Sequence, residues 1–370
     1  MNEKEGSLYR NTRNENNLQT MTDKTLYLDH AATTPLCEAA RSAMLEGFAA
    51  WANPSSPHRA GRAARAALED ARERVRAALE WPGEVIFTSG ASEAIALAVS
   101  QSRQPLAAIS AVEHDAVLRV SYAAELIVVD GQGQISATDS GRCGLVAIQH
   151  VNSETGVIQD LDAIGRAVRE AGGLLLADCA QSAGKLPLPD ADMIVCSAHK
   201  FGGPIGVGAL LVREWSLLNP GGGQERGYRG GTENLPGVLG MAAALEAERG
   251  WLAEAARLRT ILENAISGAG GTIIAQDAAR CPTIGAVRMP GVAAAVQLIR
   301  FDAKGIAISA GSACSSGSMR SSHVLAAMGL DENVAGEVIR VSIGSETHET
   351  DIARFLEAWR EIAGTARVSA

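Results

Sequence analysis

The sequence predicts an α/β protein in which a mainly parallel sheet lies between helices. Three observations carry that expectation. From Glu84 onward, short apolar runs alternate with stretches of helical periodicity. The runs are almost continuously apolar, as expected of strands covered on both faces. Each also ends in small or polar residues, and in open α/β sheets ligands bind beyond the carboxyl ends of the strands.

Seven runs fit a first domain: EVIFTSG, LAAISAVEH, ELIVVDG, GLVAIQHVN, GLLLADCAQ, MIVCSAHK and GALLV. Among the stretches between them, LDAIGRAVREAG (161–172) has apolar residues at helical spacing and a glycine at its end, so it predicts a helix. GMAAALEAERGWLAEAARLRTILENAI (240–266) predicts one long helix leaving this domain. Beyond it, GTIIAQ, TIGAVRM, AVQLIRFDAKGIAIS and VIRVSIG mix strands and helices less regularly, which points to a smaller C-terminal α/β domain. No internal repeat or long low-complexity linker separates the two, so they are expected to pack closely.

Composition excludes several classes of function. The chain has 370 residues, 46% of them apolar, enough for two domains with a sizeable core. A net charge of −9 argues against a nucleic-acid partner. The six cysteines, at 37, 143, 179, 196, 281 and 314, form no CxxC and no cysteine–histidine set with zinc spacing. A disulfide framework or metal site is therefore not expected, and a reducing cytoplasm fits. No apolar run approaches a membrane span. The first twenty residues are polar, lack a signal-peptide core and carry glutamates that argue against a transit peptide. They read as a disordered tail, with Met21 a candidate natural start.

The strand ends carry the chemistry. After five runs come SGASE, EHDAV, HVNSETG, CAQSAGK and SAHKFGGP. Any one of them is ordinary strand-end polarity; five at one edge suggest a site. Lys200, beside Ser197 and His199, would ordinarily be solvated or ion-paired. Its functional alternative is a Schiff-base lysine whose pKa is lowered by a neighbouring cation and partial burial. Asp178 taken alone is a turn or cap residue. Together the two suit pyridoxal phosphate (PLP), which needs a lysine for its aldehyde and a carboxylate at its pyridinium nitrogen. SGASE (89–93), between a strand and a helical stretch, offers backbone N–H groups and the Ser92 hydroxyl to a phosphate, and Ser197 and His199 could add donors. Cys314, in ISAGSACSSGS (308–318), has no bulky neighbours and no second cysteine close in sequence. Its bland reading is a stray loop thiol; its functional one is a thiolate carried on a segment built to move.

With these motifs in place, the chain resembles the fold-type I PLP enzymes of the class V aminotransferase group, and within it the cysteine desulfurases of the NifS/IscS type. The resemblance runs from YLDHAATTP (27–35) to RVSIG (340–344) and includes NPSSPHRAGRAAR, GGGQERGYRGGTEN and GSACSSGS. It implies a large PLP-binding domain over 36–250 with a mainly parallel seven-stranded sheet between helices. It also implies a small α/β domain formed by 22–35 and 251–370, after a tail over 1–21. The implied reaction converts L-cysteine to L-alanine and leaves a persulfide on Cys314. That sulfur would pass to an acceptor protein, either an iron–sulfur scaffold or a tRNA-thiolation protein. Residue by residue, Lys200 would bind the cofactor and shuttle a proton, Asp178 would pair with the ring nitrogen, and Gln181 would bond the ring hydroxyl. His114 would stack on the ring and serve proton transfer at the substrate thiol. Asn152 would touch cofactor and substrate, Arg340 would grip the substrate carboxylate, and Ala91, Ser92, Ser197 and His199 would hold the phosphate. Thr232 resembles the threonine that reaches the phosphate of the neighbouring subunit, which implies a homodimer.

The chain departs from the family pattern in places. Ile205 stands where a lysine is frequent, TSGASEA replaces TSGATES, and Ser153 replaces an asparagine. Two rival readings remain: a selenocysteine lyase or other class V enzyme, which would not need Cys314, and a non-enzymatic thiol scaffold.

Overall fold

The computed structural model describes residues 25–248, 250–311 and 321–368. The tail expected over 1–21 and Cys314 both lie outside the described residues. Strand β1 (Leu26–Tyr27) comes first; the seven apolar runs then form β2 (Glu84–Thr88), β3 (Leu106–Ser110), β4 (Glu125–Ile127), β5 (Leu145–Gln149), β6 (Leu174–Asp178), β7 (Met193–Ser197) and β8 (Gly208–Val212). These seven make one sheet in the order β2-β8-β7-β6-β5-β3-β4. It is parallel except for β8, which runs antiparallel to both neighbours. The reason is the link from Ala198 to Val207, too short for the crossover that a parallel return needs.

Side-chain alternation explains why the runs read as continuously apolar. Val85, Phe87, Val146, Ile148, Ile194 and Cys196 enter one core, whereas Ile86, Leu145, Ala147, Met193 and Val195 enter another. Successive residues thus face opposite sides, and both sides are covered. Helices α1 (Glu38–Ala49), α2 (Arg59–Ala78), α3 (Ala91–Gln101), α4 (Asp115–Leu118) and α5 (Leu161–Glu170) belong to this part of the chain. α2 and α5 contribute Leu68, Val75, Ile164 and Val168 to the first core, and α3 contributes Ile95 and Leu97 to the second. α5 starts where Asp160 accepts the Ala163 N–H at 3.0 Å and stops before Gly172, whose φ of 78° suits only glycine well.

The single helix expected over 240–266 is a correction: the chain forms two, α6 (Leu235–Glu246) and α7 (Trp251–Gly268). Ala247 leaves the helix with ψ 150°, and Gly250 precedes α7. The break separates two cores. α6 is buried over most of its length in the first, alongside α2. α7 buries Ala255, Leu258, Leu262 and Ile266 in a further core with Phe301, Phe355 and Trp359. One straight helix could not serve both.

That further core belongs to a three-stranded antiparallel sheet of β9 (Thr272–Ile273), β10 (Ile284–Arg288) and, beyond β11 (Ile306–Ala307), β12 (Val338–Ser342), in the order β12-β10-β9. Helices α8 (Ala294–Ala303), α9 (His323–Ala327), α10 (Glu332–Ala335) and α11 (Glu349–Val368) accompany it. β1 pairs in parallel with β11, and Leu26 and Leu28 enter this core. The segment after β1 then reaches across to Lys200 and β12. Among the described residues, no helix is long and apolar enough to cross a membrane.

Candidate active site

Polar segments that follow five strands of the main sheet converge on a cavity of about 440 Å³. Its wall holds Lys200, Asp178, Gln181, His114, Ala91, Ser92, Ser197 and His199. Eight of the residues singled out in the sequence therefore meet at one place.

Asp178 is the last residue of β6, and its Oδ1 accepts the Ala180 N–H at 2.9 Å. Burial raises the pKa of its carboxyl; the Ala180 bond and the nearby His114 and Lys200 work against that rise. Lys200 ends a short 3-10 turn after β7. Its Nζ donates to the carbonyls of Ala31 and Ala32 at 2.6 and 2.9 Å. Thr34 holds the same turn, its N–H bonding the His199 carbonyl and its hydroxyl the Lys200 carbonyl. His199 lies 3.1 Å from the Thr33 hydroxyl through Nδ1. Burial first, then Lys200 and Lys185, lower its pKa to about 4, so its ring is neutral at pH 7. Gln181 donates from Nε2 to the Ala31 carbonyl at 2.8 Å, while its Oε1 is buried without a partner among the described residues. His114 caps α4, its Nδ1 accepting the Ala116 N–H at 3.1 Å; the neutral ring therefore carries its proton on Nε2.

One end of the cavity is the N-terminus of α3. Gly90 caps that helix with φ 151° and no side-chain bond. The main chain is tightly packed behind this turn: a Cβ on Gly208 would lie 2.7 Å from the Gly90 Cα and 2.6 Å from the Cys196 carbonyl oxygen. Glu93 follows in the first turn. Burial opposes its ionisation, but Arg229 and the Ser89 N–H outweigh that and hold its carboxyl below the usual range. Arg229 thereby offsets the negative charge that Glu93 brings to this helix N-terminus. Ile205, 79% exposed, lies at the rim.

Three other singled-out residues lie behind or outside the wall. Asn152 braces its own turn: Oδ1 accepts the Glu154 and Thr155 N–H groups, both at 2.9 Å, and Nδ2 donates to Val112. Arg340, on β12, donates to Asp29 Oδ1 at 2.7 Å and to the Ser153 carbonyl at 3.0 Å; Ser153 itself lines the cavity. Arg340 Nε is buried without a partner among the described residues. Thr232 is exposed and forms no part of this wall. Sequence reasoning missed Asp29, Gln149 and the Ala31 and Ala32 carbonyls. Asp29, an acid ending the short run LYLD, offered a faint signal; main-chain carbonyls offer none. Of the described cysteines, Cys179 and Cys196 adjoin the site, but burial raises both thiols, Cys196 to about 12, and keeps them protonated.

The aminotransferase class-V family model matches residues 26–355. A cysteine desulfurase of Cereibacter sphaeroides is 36% identical, over 92% of this chain and 96% of its own. An X-ray structure of a NifS-like protein from Rickettsia africae ESF-5 superposes with a TM-score of 0.81 at 29% identity, over 92% of this chain and 99% of that one. A structure described as SspA in complex with cysteine superposes with a TM-score of 0.73 at 31% identity, over 86% and 98% of the two chains.

Proposed function

Because this chain belongs to the aminotransferase class-V family, among its cysteine desulfurases, we propose that it removes sulfur from L-cysteine with pyridoxal phosphate as cofactor. The observation that carries this reading is the meeting of Lys200 and Asp178 on one cavity closed at its end by an uncapped helix N-terminus. The cavity suits that cofactor in three respects. Asp178 offers a buried carboxylate for a ring nitrogen, and the orphaned Gln181 Oε1 offers an acceptor for a ring hydroxyl. The bare turn at Gly90, with Ser92 and Ser197 beside it, suits a phosphate.

When bound, the cofactor supplies a covalent bond to a lysine amine and an electron sink for the substrate's α-carbon. The chain's own residues do the rest. Lys200 holds and returns a proton at Nζ. His114, with Nδ1 committed to Ala116, exchanges a proton through Nε2 at the substrate thiol. Arg340 takes the substrate carboxylate, with Asp29 steadying its guanidinium. The thiolate of Cys314 attacks the substrate's sulfur; a sulfur–sulfur bond forms as the carbon–sulfur bond breaks, the electron pair of that bond stays with the β-carbon, and this carbon takes up a proton before alanine leaves. SspA bound to cysteine is a structural neighbour that supports the choice of substrate.

The attachment points of the cysteine segment support this role. Before it, Ser309 pairs with Arg340 through two main-chain bonds of 2.7 and 3.3 Å. After it, Ser322 donates to Glu154 at 2.6 Å. Cys314 stands five residues beyond Ser309, so the chain allows it a reach of at most about 18 Å from Ser309, which is bonded to Arg340. We further propose a division into 36–250 and 22–35 with 251–370, a homodimer with Thr232 serving the neighbouring phosphate, a protein acceptor for the sulfur, and a cytoplasmic setting.

The test is alanine production from cysteine by wild type and Cys314→Ser. The serine variant should retain cofactor absorbance yet lose alanine release, and mass spectrometry of treated wild type should place the extra sulfur on residue 314. Normal turnover by the serine variant, or sulfur found on Cys37 or Cys143 instead, overturns the assignment.

A further inference from the structure

Glu113 has no part in the roles above, yet its side chain is fully buried, 0% exposed, between β3 and the cavity wall. It stands immediately before His114. Its Oε1 accepts two bonds, from the Ser110 hydroxyl at 2.5 Å and from the Gln149 main-chain N–H at 2.9 Å. The β3–β5 ladder pairs its last residues at Ile109 and Ala147. The Gln149 N–H thus lies beyond the ladder, and the Glu113 side chain supplies the acceptor that the strand no longer offers. The surrounding main chain is tied the same way. Gln149 Nε2 and Asn152 Nδ2 donate to the Val112 carbonyl at 2.5 and 3.1 Å, and a His323 ring nitrogen lies 2.9 Å from the Glu113 carbonyl oxygen. Glu113 Oε2 is buried without a partner among the described residues. An ionised carboxylate would leave charge on that atom with no donor to meet it, whereas a neutral acid leaves only an unmade hydrogen bond.

We propose that Glu113 is a positioning residue that works as a neutral carboxylic acid, clamping the carboxyl ends of β3 and β5 so that His114 and Gln149 keep their places on the cavity wall. Ionisation strengthens the two bonds to Oε1 but puts buried charge on the unpartnered Oε2, and that cost destabilises the packed wall around the clamp. Burial moves its pKa from 4.5 to about 8; the bonds from Ser110 and Gln149 oppose that shift, and the Asp178 carboxylate on β6 adds to it. His323, on α9, meets the main-chain oxygen and not the carboxyl. Lys200 and His114 act on Asp178.

The sign of the pH effect follows. Between 4.5 and about 8 the folded chain keeps a proton here that the unfolded chain has released. Stability from this group is therefore lost as pH rises through that window, and the loss is complete above it. Glu113→Gln keeps an oxygen acceptor for Ser110 and Gln149 but cannot ionise, so it removes the slope.

The first arm needs neither cofactor nor activity: melting of the cofactor-free protein, wild type against Glu113→Gln, from pH 5 to 9. The melting temperature of the glutamine variant should gain steadily on wild type up to about pH 8 and then hold its advantage. Curves that stay parallel across the range overturn the neutral-acid assignment. The second arm rests on the cysteine desulfurase reading and follows alanine formation against pH. Glu113→Ala, which orphans the Gln149 N–H, should lose about tenfold or more at every pH. Glu113→Gln should restore most of that loss and move the alkaline fall to higher pH. An alanine variant with wild-type rate and pH profile overturns the positioning role. If wild type forms no alanine, the activity reading fails by itself and the melting arm still decides on Glu113.

Discussion

Arg340 shows how much of a site one side chain can settle, and how little of that its own residue type reveals. Its fork is shared between the Asp29 carboxylate and the Ser153 carbonyl, at 2.7 and 3.0 Å. In the role proposed for Arg340, a substrate carboxylate meets a planar donor already held in orientation. Arg340→Lys keeps the charge but has a single point donor, which cannot reach both partners and a ligand. We expect KM for cysteine to rise about tenfold while kcat changes less than threefold, measured by steady-state alanine formation. A loss confined to kcat would place Arg340 at the chemical step instead. At this scale the sequence was most informative where residue type and chemistry coincide. Lys200 and Asp178 were legible because an amine and a carboxylate at neighbouring strand ends suit one cofactor, whereas Gln181 was named only through the family resemblance. The Ala31 and Ala32 carbonyls that hold Lys200 were not legible, because every residue has a carbonyl. Asn152 was legible as polar, but its bonds to Glu154 and Thr155 depend on a turn whose geometry no residue pattern fixes.

At the scale of elements, apolar periodicity located all seven strands of the main sheet but not every direction or break. β8 reverses because its link to β7 is short, and a link length can be counted in advance. The division between α6 and α7 depends on which core each helix buries, which is a tertiary fact. The segment GGGQERGYRGGTEN posed a harder problem. Glu225 and Arg226 both adopt positive φ, 46° and 57°, where non-glycine residues are strained. The structure holds this turn with a buried ion pair. Arg72 on α2 donates to Glu225 at 2.6 and 3.2 Å, Glu225 also accepts the Phe87 N–H at 3.0 Å, and the guanidinium lies 4.8 Å above the Phe87 ring. Removing one partner strands the other charge away from water. Arg72→Met should therefore destabilise the cofactor-free protein by about 3–5 kcal/mol in urea unfolding. Adding Glu225→Gln should recover part of that loss, since no unpaired charge then remains buried. A single variant within about 0.5 kcal/mol of wild type would show that the pair contributes nothing to the turn.

At the scale of the whole molecule, the cores of the main sheet and the core of the C-terminal sheet share one chain, and the cavity lies where the segment after β1 crosses from the C-terminal sheet to the main sheet. Leu26 and Leu28 pack with Phe301 and Phe355, yet a few residues later Ala31 and Ala32 hold Lys200. No local pattern announces such a crossing, because each short stretch satisfies its own neighbours. Thr232 poses the same question one level higher. It lies five residues beyond the Glu225–Gly227 turn that Arg72 secures, is exposed, and stands outside its own chain's cavity wall. The proposed homodimer gives it a use at the phosphate end of the other subunit's cavity. Thr232→Glu would set a carboxylate against that phosphate and should abolish alanine formation, as Lys200→Ala should by removing the amine. Mixed together, the two inactive proteins can exchange subunits. In a mixed dimer, the subunit with intact Lys200 receives an intact Thr232 from its partner, so one of its two sites is complete. Equal mixing should then restore about a quarter of wild-type activity per subunit, since half the dimers are mixed and each has one working site. A threonine that served its own subunit would give no such recovery, because every chain in the mixture would still carry one fatal change in its own site.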